Sequence, residues 1–106
     1  MPIYNKLVRD HIPEIIENTG KQCSTRVLAH NEYFKELKKK SLEELEEYMN
    51  AEFNEEAIEE LADLLEVIHA LSKYHGATIE QVEEIRLQKA KERGGFSEKI
   101  FLIEVE

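Results

Sequence analysis

The chain is predicted to be mainly α-helical: a bundle of three to four helices per copy, completed by dimerisation, with a small β element from residues 24–29 and a C-terminal strand at 99–105. Three observations predict this. Two long stretches, 32–50 and 54–75, space their apolar residues at helical intervals. The 106 residues contain only four glycines and two prolines, and 35% of them are charged, a composition that suits helices better than a large sheet. Turn and cap signals divide the chain at short intervals without any linker, repeat or low-complexity segment, so residues 1–106 read as one domain.

Taken in order, IYNKLV opens in an extended form, and Asp10 is the expected N-cap of a brief first helix with Pro13 in its first turn and Gly20 as its stop. STRVLA carries the β-branched residues of a short strand. Asn31 is the expected cap of the second helix, whose residues Tyr33, Phe34, Leu37, Leu45, Tyr48 and Met49 fall at helical spacing. Asn54 is the expected cap of the third, with Glu55 and Glu56 near the positive end of its dipole and Gly76 beyond its last turn. A short connection makes these two helices antiparallel. Thr78 and Gln81 have the spacing of a capping box for a fourth helix that Gly94 and Gly95 stop. KIFLIEVE is β-branched enough for a strand, paired with STRVLAH.

The net charge of −9 argues against duplex nucleic acid or an anionic membrane as partner, since both require a basic surface. One cysteine, Cys23, excludes an intrachain disulfide and supplies no zinc spacing. No apolar run has signal-peptide or membrane-spanning length, and the expected location is cytoplasmic.

Ten of the 21 residues from Glu43 to Asp63 are acidic. If this were only a solvated surface, every acid would lie opposite the apolar stripe. A helix turns about 100° per residue. With Glu60 at zero, Val67 falls at about −20°, Leu71 at about 20°, Leu64 at about 40°, Leu61 at about 100° and Ile58 at about 160°, with Asp63 on the edge at about −60°. With Glu44 at zero on the second helix, Tyr33 falls at about −20°, Leu37 at about 20°, Tyr48 at about 40°, Phe34 at about 80° and Leu45 at about 100°, with Glu47 at about −60°. Each helix thus presents one inward carboxylate and a second on the edge three residues later. Four converging carboxylates repel one another by about 4 kcal/mol per pair at 4 Å and an effective dielectric near 20. A cation relieves this, and oxygen ligands select Mg²⁺, Mn²⁺ or Ca²⁺ over zinc. Glu46, at about 200°, belongs to the solvated surface.

In this register Glu43, Glu44 and Glu47 form an EExxE motif, and Glu60 and Asp63 form ExxD after twelve intervening residues. Together with YNKLVRDHIPEII near the start and KERGGFSEKIFLIE near the end, the pattern resembles the all-α nucleoside triphosphate pyrophosphatase superfamily (MazG-like and phosphoribosyl-ATP pyrophosphohydrolase-like proteins), in particular its house-cleaning branch for noncanonical nucleotides. The resemblance implies a homodimer or higher homo-oligomer and Mg²⁺, with Mn²⁺ as a substitute, held by Glu44, Glu47, Glu60 and Asp63. It implies hydrolysis of the α–β link of a nucleoside triphosphate, with Glu43 as a further ligand or as the base that activates water. Lys6, Arg9, Lys89, Lys91 and Arg93 are the implied phosphate-binding groups, whereas Lys38, Lys39 and Lys40 read as a solvated run. Phosphoribosyl-ATP hydrolysis and a non-catalytic helical interaction module are the alternative functions.

Overall fold

The computed structural model describes residues 2–106 and contains four helices: α1 (Ile12–Asn18), α2 (His30–Met49), α3 (Asn54–Tyr74) and α4 (Ile79–Arg93). The expected helical bundle is present. Its centre is the α2–α3 hairpin, closed by residues 50–53. The start of α2 meets the end of α3, where Tyr74 stacks between His30 and Phe34 at ring separations of 4.4 and 4.3 Å. The two helices are therefore antiparallel. α4 packs on α3 only, and α1 makes no close backbone approach to another helix.

The helix ends follow the sequence unevenly. Thr78 and Gln81 form the expected capping box, with Thr78 Oγ1 accepting from the Gln81 amide at 3.1 Å and Gln81 Oε1 accepting from the Thr78 amide at 2.8 Å. Gly76 and Gly94 take positive φ (77° and 81°) just past α3 and α4, a conformation that glycine adopts without steric cost. The three expected side-chain caps at Asp10, Asn31 and Asn54 do not form: the cap positions are His11, Ala29 and Phe53, none with a side-chain cap hydrogen bond. One cap contributes about 1 kcal/mol, less than the seam packing that fixes where α2 and α3 begin.

The expected β element is corrected by the structure. Neither 24–29 nor 99–105 forms a strand among the described residues, and Lys99 takes a positive φ of 59°. A ladder requires two backbones side by side, and these two segments exchange no hydrogen bond. Val27 is 97% exposed and Phe101 88%.

The apolar arc of the hairpin divides in two. Residues near 0° on each wheel form the seam, and only Leu37 and Val67 among them are buried apolar side chains. Residues at about 80–160°, namely Leu42, Leu45 and Met49 of α2 and Ile58, Leu61, Leu65 and Ile68 of α3, are exposed. In an antiparallel pair equal angular offsets fall on one side, so these seven form a continuous apolar face. The chain exposes 9951 Å², whereas a self-contained protein of 12.4 kDa exposes roughly 6,100 Å². Its radius of gyration is 18.0 Å, against about 13 Å for a compact chain of this length.

Candidate metal centre

Glu44 and Glu60 occupy the middle of the α2–α3 seam, with Glu47 one turn along α2. One carboxylate oxygen from each of the three lies within 4.8 Å of the others. The helical repeat brings them together: Glu44 and Glu60 share the inward direction with Leu37 and Val67, and Glu47 flanks them on the edge away from the apolar face. Glu44 is only 6% exposed. Its Oε1 lies 3.4 Å from Lys40 Nζ, while its Oε2 and the Oε2 of Glu60 are buried with no hydrogen-bond partner. A buried acceptor left unpaired is costly.

The electrostatics follow from this crowding. Burial pushes the Glu44 carboxyl above the ordinary carboxylate range; Glu47 beside it adds to the rise and Lys40 opposes it. Burial also raises Glu47, and the neighbouring Glu60 and Glu43 carboxylates contribute to its rise. Oxygens bound to one Mg²⁺ at 2.0–2.1 Å stand about 3–4 Å apart. The three carboxylates need only a small contraction to reach that spacing, and two of them carry a buried oxygen without a partner. The residues present therefore fit a hard divalent cation.

Basic side chains surround the acids. Lys6 Nζ lies 3.7 Å from Glu43 Oε1, and Arg9 donates to Asp63 Oδ1 at 2.7 Å. Of the four carboxylates expected as ligands, the structure gathers Glu44, Glu47 and Glu60 and gives Asp63 to Arg9. Glu43 stands half-buried at the edge between Lys6 and Lys40. Of the expected basic groups, Lys6 and Arg9 reach this site. Lys89, Lys91 and Arg93 stand on α4, where Lys89 and Arg93 line a shallow depression with Glu84, Ile85, Gln88 and Glu92, and none pairs with the seam acids.

Lys40 is not part of a solvated run. It is largely covered and contacts both Glu43, at 3.6 Å, and Glu44. Its wheel position, about −40° from Glu44, carries the signal. Lys38 instead lies over the Phe34 ring, 4.1 Å from its centroid. Among the described residues no helix is long and apolar enough to cross a membrane. Comparison of the chain with protein-family descriptions, curated proteins and solved structures finds no match.

Proposed function

We propose that this chain is a Mg²⁺-dependent nucleotide pyrophosphohydrolase that converts a noncanonical nucleoside triphosphate to the monophosphate and pyrophosphate. The observation that carries this reading is the gathering of Glu44, Glu47 and Glu60 at the helix seam, with Glu44 Oε2 and Glu60 Oε2 buried and unpartnered. Those three residues would hold the ion, with Asp63 as a fourth ligand once it is free of Arg9. The motif resemblance supplies the reaction class, and the basic rim agrees with a polyphosphate substrate.

When bound, Mg²⁺ neutralises phosphate charge and lowers the pKa of water. The chain's own side chains complete the chemistry. Lys6, Arg9 and Lys40 hold the phosphate oxygens; Arg9 suits a bidentate contact and the lysines act as point charges. Glu43 takes a proton from the attacking water as general base. The water oxygen bonds to phosphorus, the bridging P–O bond breaks, and the leaving phosphate departs with the electron pair. The apolar hairpin face lies on the opposite side from the acids, so a second copy can cover it while the site stays open.

The test is pyrophosphate release across a panel of canonical and noncanonical nucleotides and phosphoribosyl-ATP, in Mg²⁺ and in chelator, alongside calorimetric Mg²⁺ and Mn²⁺ titration. Metal-dependent turnover of triphosphates is the expected result. Turnover confined to phosphoribosyl-ATP would move the protein to that reaction. Absence of both turnover and metal binding would leave the helical interaction module as the function.

A further inference from the structure

Ile100, Phe101, Leu102 and Ile103 are four consecutive apolar residues, with Val105 just beyond. All five are at least three-quarters exposed, and the backbone from 100 onward makes no hydrogen bond to backbone elsewhere. Successive side chains of an extended segment face opposite ways, so a run that is apolar at every position needs cover on both sides as well as a hydrogen-bonding neighbour. The arm has neither within its own copy.

A second segment has the complementary deficit. Residues 21–28 lie outside the helices, carry the exposed Val27 and form no backbone ladder. Their charges are opposite in sign: Lys21 and Arg26 with no acid in 21–28, against Glu104 and Glu106 with no base in 100–106. Arg26 is held by Glu32 in this copy, at 2.9 Å.

We propose that the arm 100–106 of one copy pairs as a strand with residues 21–28 of a second copy, so that two copies exchange arms around a twofold axis. One exchange satisfies both free edges twice over, as an isologous contact requires. The area agrees with this occupant. Two copies together expose about 7,600 Å² beyond the surface of two self-contained chains, ample for the roughly 2,000–5,000 Å² or more that obligate dimers bury in total. The arms and the apolar hairpin face together account for a contact of that class. The exchange needs neither metal nor nucleotide and stands or falls apart from the proposed hydrolysis.

Site-directed cross-linking in a Cys23→Ser background tests it. Chains carrying Thr25→Cys or Val27→Cys are co-refolded with chains carrying Phe101→Cys or Ile103→Cys and oxidised. The expected result is a covalent dimer of unlike chains in at least one of the four pairings. Removal of residues 100–106, or Phe101→Glu with Ile103→Glu in the full chain, is expected to weaken self-association at least tenfold by sedimentation. Any of four results would overturn the exchange: no cross-link in any pairing, an intrachain bond in dilute doubly substituted protein, a monomeric wild-type mass, or undiminished association in both arm variants. Mg²⁺ titration of the arm variants reads the acidic site separately.

Discussion

Replacing Glu44 by Gln removes one negative charge from the seam while keeping the side chain's shape. One Glu44 oxygen lies within 4.8 Å of oxygens from both Glu47 and Glu60, and at an effective dielectric of 20 each such pair costs about 3.5 kcal/mol. The opposing attraction to Lys40 Nζ at 3.4 Å is about 5 kcal/mol on the same scale. The two repulsions exceed the one attraction by about 2 kcal/mol, and solvent at the exposed Glu47 reduces the net to about 1 kcal/mol. For a domain of this size that corresponds to a rise in Tm of roughly 4–8 °C. Glu44→Gln in metal-free buffer at neutral pH is therefore expected to melt higher than wild type by that amount. In Mg²⁺ the order reverses, because wild type gains about 2.7 kcal/mol at a hundredfold excess over Kd and the variant loses most of that gain along with turnover. Differential scanning calorimetry with and without Mg²⁺ measures both halves. Unchanged or lower metal-free stability together with an undiminished Mg²⁺ shift would refute the account of Glu44 as a frustrated ligand. Glu46→Gln, on the solvated face, is the control and is expected to change neither.

The pH dependence has the sign set by the raised carboxyls. Glu44 and Glu47 hold protons more tightly in the folded chain than at the ordinary value of 4.5, so their stabilising contribution is complete below 4.5 and lost as pH rises through the folded values. Metal-free Tm should therefore climb as pH falls from 7 toward 5, and saturating Mg²⁺ should flatten the climb; a metal-free Tm that falls over this window contradicts the assignment. The exposed Glu32 and Glu83, held below 4.5 by Arg26 and Arg86, act in the opposite sense and lose their contribution as pH falls through their lowered values. Lys40→Ala should lower metal-free Tm by a few degrees and tighten Mg²⁺ binding severalfold by calorimetry, since Lys40 occupies the same carboxylate that the cation needs; weaker binding would show that Lys40 instead orders the site. Thr78→Ala should cost about 1 kcal/mol in thermal melts through loss of the capping box, without altering Mg²⁺ affinity.

The helices and the inward acids were legible because both depend on one short-range regularity, the 100° turn per residue. Glu44 and Glu60 were identified as inward by that rule, and the structure places them at the seam. Applied to Lys40, the same rule gives an inward position that three adjacent lysines, which resemble a solvated run, conceal. Other features depend on what lies alongside, which no local pattern contains. A β-branched stretch states a preference for extended backbone, but STRVLA and KIFLIEVE could not be strands together without a shared ladder. Asn31 and Asn54 carry the right side chains for capping, yet α2 starts at His30 and α3 at Asn54 itself. Asp63 repeats the offset of Glu47 on its own helix, but Arg9, 54 residues earlier, engages it. The split of the apolar arc was hidden for a related reason: a wheel shows which side chains are apolar, not how wide a neighbour is.

The equal angular offsets on α2 and α3 also determine which kinds of genetic change the hairpin can absorb. A substitution at Leu45 or Glu47 alters one face and leaves the other in place. Deleting a single residue between Leu37 and Glu44 would rotate everything beyond it by about 100°, bringing Leu45 to the position of Glu44 and turning Glu44 and Glu47 out of the seam. The connection at 50–53 lies outside both helices, where a change of length leaves each wheel intact. Variation in length should therefore be confined to that connection and the chain ends, while the interval from Leu37 to Glu47 keeps a fixed count whatever residues fill it.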